Sequence, residues 1–597
     1  MSLILFCLVG SFFLALFKVF NSLLRRPHGI DLNGPDRGNW LSGNIIRLFD
    51  GVDYCVNLSE KYGGAVRLHG LYGEIVYVSD PRALHHIVVK DQQIFQEPED
   101  FIVSNKLVFG EGLISTIGEQ HRQQRKLISP VFSTSNMQRL LSTVYHITDR
   151  LASTLAAKLP ADGSHSEVDV LTWLSRCALD SVCHCVLGYT SDSLSAAEDD
   201  MYTEALRSVG PLIGNLCLLR PFVLIVMRCC SPYWARKVLD LVTAPWIPTK
   251  FMRDIREMRR IVETMDSVSR NVFAEKKAAM EAEDMLCGDS DSIPSMMDIM
   301  LKANSALSSA KLTDAELLGQ MNVMVFAGLD TTTSALARCV YLLAQHPRVQ
   351  ARLRNEISDV MKFSRQQEDN DIPSAKLPYD VLMNLPFLDS IVKETLRLYP
   401  SLPLMIRTAT KATTLPLHFP TRSRSGEHTS AVTIPQGTHV IISILAANRH
   451  QGIWGADANE WRPERWLSSP LAVPPDTDIL AGGEDAMSTS TCAPVLGIKD
   501  GVRFPGVYSN MMTFLGGSHS CIGFKFAEME IKQVLTTLVL RLHFSLPTER
   551  NAQGHVKEIQ WKLRGFHIPV VEAPAGDGVT PQVPLNVRLV RDDDFVW

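Results

Sequence analysis

The 597-residue sequence is short of net charge: 59 lysines and arginines against 64 aspartates and glutamates leave −5 at pH 7. So even a balance, with no basic arm and no Cys/His finger spacing, argues against a nucleic-acid partner. Paired cysteines are scarce too. Twelve are scattered through the chain, and only Cys183/Cys185 and Cys229/Cys230 stand close together, so neither a disulfide framework nor a zinc cluster is written into the spacing. The expectation is reduced thiols facing the cytosol. The sequence also lacks a strand–GxGxxG–helix unit for a dinucleotide, any internal repeat and, past the N-terminus, any run of eighteen uncharged apolar residues that would cross a bilayer.

What is present is a chain 46% hydrophobic and 21% charged, able to bury a sizeable core. Met1 to Phe17 are uncharged and rich in Leu, Phe, Ile and Val, Lys18 interrupts, and Arg25-Arg26-Pro27 closes the segment. A cleaved signal peptide would carry its positive charge first. Residues 1–26 are therefore expected to form a membrane anchor, with Lys18 snorkelling and the following chain on the cytoplasmic side. Residues 27–44, containing GPDRGNWLSGN, read as a Gly/Pro-rich lead-in. Residues 64–90 carry two β-like runs about a glycine-bearing turn, a hairpin signal. From about 118 to 450 the pattern is mostly helical, with breaks at 283–293 and 366–376. Residues 468–506 read as a surface insertion, and 576–597 as a C-terminal tail.

Residues 311–345 form one long helical pattern, opened by a Thr313/Glu316 capping box and stopped at His346-Pro347. Its middle is too apolar for a surface helix. Inside it stands AGLDTT, Ala327 to Thr332. Glycine costs about 1 kcal/mol against alanine in a helix, and threonine hydroxyls compete for backbone carbonyls. A local opening or bulge is expected there, with room for a small ligand and with Asp330 and Thr331 as proton donors. The alternative is that Asp330 is a satisfied polar residue and Gly328 merely packs closely.

KETLRLYP places Glu394 and Arg397 one helical turn apart among apolar neighbours. A buried pair needs further hydrogen bonds, and Arg465 of WRPERW is the candidate third member. In FLGGSHSCIG, Cys521 precedes a helical pattern, so it lies near a helix N-terminus, where backbone N–H groups favour a thiolate. Gly516, Gly517 and Gly523 allow something large and flat to approach. A nucleophilic cysteine wants a histidine base, and His519 two residues away does not by itself make a dyad. Zinc wants further Cys/His ligands. A lone thiolate fits a haem iron, which brings four nitrogens of its own.

At these residues the sequence resembles the cytochrome P450 family of haem-thiolate monooxygenases. Phe514, Gly517, His519, Cys521 and Gly523 match the family's cysteine loop, Phe-x-x-Gly-x-Arg/His-x-Cys-x-Gly. Ala327 to Thr332 match its oxygen-binding helix motif, Glu394 and Arg397 its Glu-x-x-Arg pair, and Arg465 its third arginine. The N-terminal anchor and GP-rich lead-in are similar to the microsomal eukaryotic branch, and the long insertion to some fungal members. The resemblance implies a mainly α fold with small β-sheets. It implies a single large haem domain over 45–575, with the N-terminal anchor ahead of it. The cofactor would be haem b with Cys521 as axial thiolate. Gly328 would open a groove over the iron, and Thr331 with Asp330 would deliver protons. Arg125, Arg407, His121 and His519 would hold the propionates. His121 stands where tryptophan is usual and His519 where arginine is commoner, so haem retention is expected to weaken as pH rises past the histidine's titration.

The same resemblance implies O2 as co-substrate and electrons from a membrane-bound NADPH–cytochrome P450 reductase, with cytochrome b5 as a further donor, docking near Arg122, Lys126 and Lys525. The location implied is the endoplasmic reticulum membrane, single-pass, with the catalytic domain in the cytosol. The segments that meet substrate in the family read apolar here (SNKLVFGEGLIST, MNVMVFA, SLPLMI), which points to a hydrophobic small molecule such as a terpenoid, sterol or fatty acid. Two other readings stay open: a haem-thiolate isomerase, dehydratase or peroxygenase, and a catalytically silent haem-binding protein. The intact Asp330-Thr331 pair favours the monooxygenase.

Overall fold

The computed structural model describes residues 29–595, except 40–41, 50, 71–72, 161, 190–192, 195–200, 217–218, 232, 235–236, 238–239, 241–249, 287–292, 308–310, 368–375, 468–501, 551–553 and 565. The expected anchor at 1–26, most of the insertion at 468–506 and most of the two breaks lie outside the described residues.

Helices dominate, and the sheets lie at the edges, as expected of a mainly α protein. The site is framed by α1 (Gly118–Ile128), α2 (Thr134–Ala157), α3 (Val170–Val182), α4 (Asp314–Gln345), α5 (Pro386–Leu398) and α6 (Phe524–Arg541). α4 packs against α3, and α6 against α2, α4 and α5, so α4 and α6 form the axis of the core. At about 1.5 Å per residue α4 is roughly 48 Å long and crosses the whole domain. Its capping box is formed: Glu316 N donates to Thr313 Oγ1 (3.2 Å) and Thr313 N to Glu316 Oε2 (2.9 Å). Among the described residues one stretch is long and apolar enough to cross a membrane, Val170–Leu187, and 67% of it is buried inside the protein, which makes it a core helix.

The main sheet joins β1 (Ala65–Gly70), β2 (Gly73–Val78), β3 (Phe95–Gln96), β4 (Leu404–Ala409) and β5 (His439–Ser443) in the order β1-β2-β5-β4-β3. β1 and β2 are the hairpin expected from 64–90. A second hairpin, β6 (Ile559–Arg564) with β7 (Phe566–Val571), lies against α4.

Two expectations are corrected. The chain from 404 to 443 is mainly strand, not helix: Thr413–Arg422 pairs with His428–Ile434 as a local hairpin, while 404–409 and 439–443 pair with each other and 439–443 with the distant β2, so β-branched patterning and long-range pairing override the helical reading. The residues read as a tail at 576–597 include Pro584–Leu589, the central strand of a three-stranded sheet between Ser166–Asp169 and Leu542–Ser545. Leu585 and Val587 are fully buried in it.

Candidate active site

The cysteine loop is built by close backbone approaches. Gly517 adopts φ +69°, and a Cβ there would stand 1.8 Å from Val88 O, so only glycine fits. Gly517 to His519 make one 3-10 turn, and Cys521 N donates to Phe514 O at 2.8 Å, closing the loop. Phe514 is anchored edge-on to Tyr508 (5.3 Å) and tilted against Phe524 (6.1 Å). Gly523 caps α6. Cys521 is exposed at the head of this helix, yet protein surrounds it closely. Burial pushes its thiol above the ordinary value, against the pull of the Gly523 N–H and of Arg125. The helix N-terminus therefore does not ionise this cysteine unaided. A nucleophile would need that, whereas a coordinated metal ionises a thiol outright.

Arg125 on α1 brackets the loop: Nη1 donates to Ser520 O (2.8 Å) and Nη2 to Ser520 Oγ (2.9 Å). His121, one turn earlier, stacks on His519 with ring centroids 4.1 Å apart. Arg407, on β4, reaches the same place. A residue that sequence reasoning misses joins them: Glu97 Oε1 lies 2.9 Å from Arg407 Nη2 and 3.2 Å from His519 Nδ1, and its Oε2 is buried without a partner. β3 brings it there, because Gln96 pairs with Thr408 and so the next residue falls beside Arg407. The only sequence signal is an acid directly after a short alternating run and before Pro98.

All four predicted propionate partners thus converge on one corner of the cysteine loop, and Glu97 shows that the corner binds carboxylate oxygens. Without propionates beside it, His519 is pushed down to about 4 by burial, then by Arg407 and Arg125. His121 is likewise lowered to about 4, chiefly by burial.

In α4 the expected bulge is absent, since the helix runs unbroken from Asp314 to Gln345. Thr331 Oγ1 donates to Ala327 O at 2.7 Å, which satisfies the hydroxyl within the helix. Gly328 serves close packing as well: a Cβ there would meet Val182 Cγ2 of α3 at 2.9 Å. The opening is in the surface instead. Ala327 is exposed and Gly328, Asp330 and Thr331 are half-buried, midway along a helix whose other residues are mostly buried. Asp330 lies against the helix Met201–Leu216, where a Cβ on Gly210 would be 2.1 Å from its Oδ2. Burial raises the Asp330 carboxyl to about 7. Such a group still holds its proton near neutrality and can give it up. Phe109, Phe326 and Phe566 form a ring chain beside this stretch (4.5 and 6.4 Å), joining two of the segments expected to meet substrate to the β6–β7 hairpin.

Behind the loop, Glu394 and Arg397 are fully buried and fully satisfied. Arg397 spends all five N–H donors: Nε and Nη2 on Glu394 (both 2.8 Å), Nη1 on Asn448 O (2.8 Å) and Ala458 O (2.7 Å), and Nη2 again on Glu460 O (3.2 Å). Glu394 also accepts from Arg462 N (3.0 Å), Arg465 Nε (3.4 Å) and Trp466 Nε1 (2.9 Å). The predicted third member, Arg465, is in place and is held in turn by Asp457. Asn448 carries the network to the loop: its Oδ1 accepts from Met512 N (2.7 Å) and its Nδ2 donates to Thr513 Oγ1 (2.8 Å).

Among the described residues no cluster of three or more His, Cys, Asp or Glu could hold a metal ion. An accessible single thiol, a flanking corner that binds carboxylates and a loop of glycines in close contact fit an iron that arrives with its own equatorial ligands and acidic side arms. These features define a haem-thiolate oxidoreductase site. The chain belongs to the cytochrome P450 family, whose sequence profile matches residues 33–560. Cytochrome P450 monooxygenase 91 of Postia placenta is 38% identical over 94% of each chain. Cytochrome P450 monooxygenase 219 of the same fungus is 36% identical over 94% of each chain, and Ganoderic acid synthetase CYP5150L8 of Ganoderma lucidum is 33% identical over 99% of each. The protein is accordingly an oxygen-incorporating oxidoreductase whose cofactor is haem b.

Proposed function

We propose that the protein hydroxylates a hydrophobic metabolite of terpenoid or sterol type in fungal secondary metabolism, with electrons from an NADPH-dependent reductase. The observation that carries this is the pairing of an accessible thiol on the cysteine loop with a half-buried Asp330–Thr331 dyad in an otherwise buried helix. The secondary-metabolite relative supports the substrate class, as does the Phe109–Phe326–Phe566 chain.

Cys521 would hold the haem iron, and Arg407, Arg125, His121 and His519 its propionates. When bound, the haem supplies oxygen activation, with the thiolate pushing electron density to favour O–O cleavage. The chain's own residues then manage substrate and protons. The phenylalanine chain receives the apolar skeleton and excludes bulk water. Asp330, protonated up to about pH 7, is the proton store. Thr331 Oγ, held one bond away on Ala327 O, relays that proton by exchanging its helix bond for one across the open face. Residues 1–26 anchor the chain in the endoplasmic reticulum membrane with the catalytic domain in the cytosol. A reductase with an acidic face docks beside α1. Lys126 is exposed there; Arg122 is exposed but bridged to Glu119, and Lys525 donates to Thr134 Oγ1. Lys126 is therefore the contact with least to lose on docking.

Reduced, CO-treated protein is expected to show the red-shifted Soret band of thiolate ligation, and Cys521→Ser to lose it. With reductase present, Thr331→Ala is expected to keep consuming NADPH while releasing peroxide. Unchanged coupling in that variant would remove Thr331 from the proton path.

A further inference from the structure

Arg338 lies seven residues beyond Thr331 on α4, on the same stripe of the helix two turns further on. It is 6% exposed. Its guanidinium is sandwiched between the rings of Trp561 (3.5 Å) and Tyr399 (4.0 Å). Both faces are thus covered, and only the in-plane N–H edge can meet a ligand. Its Nε has no acceptor, nor does Trp561 Nε1; buried His567 is neutral and has one N–H, beside which the Pro400 carbonyl lies.

The surroundings add positive charge rather than remove it. Arg449, 8% exposed, spends Nε and Nη2 on the Leu398 carbonyl and acts on both Arg338 and His567. The other ionisable neighbours of Arg338 are Tyr399, Tyr341 and Cys339. Among the described residues the acids that reach this cluster act on its rim, exposed Glu558 on Tyr341 and Asp53 on Arg449, and none pairs with Arg338. Burial above all lowers Arg338 to about 9 and His567 to about 3. A buried cation without a counter-charge is strongly destabilising. A guanidinium edge with an unpartnered Nε describes a place for an acceptor that has no proton to offer.

We propose that the unpartnered guanidinium edge of Arg338 binds a small monovalent anion, of halide or formate size. The ring sandwich confines it to the guanidinium plane, and the tightness of the burial excludes larger anions. Ser334 Oγ already ties α4 to His567 O at 3.1 Å. The anion offsets the charge of the guanidinium that stacks α4 on Trp561 of the β6–β7 hairpin, whose Phe566 belongs to the phenylalanine chain. The inference does not depend on the reaction proposed above.

The test is thermal unfolding of the full-length, haem-loaded protein at constant ionic strength, exchanging gluconate for bromide, for formate or for sulfate. The wild type is expected to show a midpoint that rises and saturates with bromide or formate but not with sulfate, while Arg338→Met gives a flat line in all three. Saturation with bromide alone, or with formate alone, identifies the occupant. No saturable rise in the wild type, or the same rise in Arg338→Met, overturns the proposal, the first outcome leaving water as the occupant. Should Arg338→Met not fold, wild-type crystals soaked in bromide decide: an anomalous peak at hydrogen-bonding distance from Arg338 Nε is required, and its absence is fatal.

Discussion

Asn448 is the joint between the buried ion network and the cysteine loop, and replacing it by leucine tests whether that joint matters. The substitution keeps the volume and removes two hydrogen bonds, Met512 N to Oδ1 (2.7 Å) and Nδ2 to Thr513 Oγ1 (2.8 Å). Each contributes about 1 kcal/mol net, and stranding a buried backbone N–H costs about 1–3 kcal/mol more. Asn448 and Met512 are both fully buried, so water does not replace what is lost. The total is about 3–5 kcal/mol. The ion network itself survives, because Arg397 reads the Asn448 carbonyl and not its side chain. The damage should therefore concentrate at Met512 and Thr513 and reach Cys521 through the Phe514 carbonyl that its N–H binds. Urea unfolding of the haem-loaded protein, followed by tryptophan fluorescence and by the Soret band, separates the two effects. Asn448→Leu is expected to lower both midpoints, the Soret midpoint more, and to convert part of the CO-bound spectrum to its blue-shifted form. Thr513→Val removes the Nδ2 bond together with the bond Thr513 Oγ1 donates to Leu396 O (2.8 Å), but it leaves Met512 N paired, so its spectrum should change less than that of Asn448→Leu. A stability within about 0.5 kcal/mol of wild type, the spread of ordinary surface substitutions, together with an unchanged spectrum would refute the coupling.

Three further outcomes are expected. Glu530 on α6 is fully buried, with the Ser181 hydroxyl drawing near its carboxyl, and burial raises it from 4.5 to about 8. The folded state keeps this proton where the unfolded chain has lost it, so stability is greatest below about 4.5, declines as pH rises through the window and levels off above about 8. Glu530→Gln should abolish that part of the slope and gain a few kcal/mol at pH 8, at about 1.4 kcal/mol for each pH unit separating the folded and unfolded values. Denaturation midpoints from pH 5 to 9 read this, and parallel profiles would contradict it. Glu97→Gln keeps an acceptor for Arg407 and His519 but removes the charge facing the propionates, so haem transfer to a scavenger apoprotein should slow several-fold, and Glu97→Ala, which also frees both donors for the propionates, should slow it at least as much; faster transfer in both variants would contradict this. Asp330→Asn should leave ligand-induced spectral shifts intact and cut product formation by about 10²-fold or more, the usual range for losing a general acid; full product formation would take Asp330 out of the mechanism.

The parts of the site legible in the sequence are those whose geometry is local. A thiol before a helix, an acid and an arginine one turn apart, and a Thr-x-x-Glu cap each imply their own contacts, and Cys521, Glu394–Arg397 and Thr313–Glu316 all form as expected. Glu97 cannot be read this way. Its role exists only because a two-residue strand pairs with another more than three hundred residues later. Gly328 escapes for the related reason that the neighbour it admits, Val182, belongs to another helix. The expectation of a bulge fails because one threonine hydroxyl can return its bond to the carbonyl four residues back without breaking the ladder. A titration of His519 near its solution value is a fair expectation for a loop histidine, and without propionates beside it the two arginines that make the corner useful are among what lowers it.

Arg397 recognises Asn448, Ala458 and Glu460 by their carbonyl oxygens alone. A carbonyl is the same in every residue, so at 458 and 460 this contact puts no constraint on the letters, while the number of residues between 448 and 465 is fixed to the last one. Deletion or insertion of a single residue between Asn448 and Ala458 shifts one oxygen against the others, although a change of side chain need not. The chain beyond Leu467 is under no such count. Residues 468–506, which read from the sequence as a surface insertion, begin at the first point past the guanidinium's ruler.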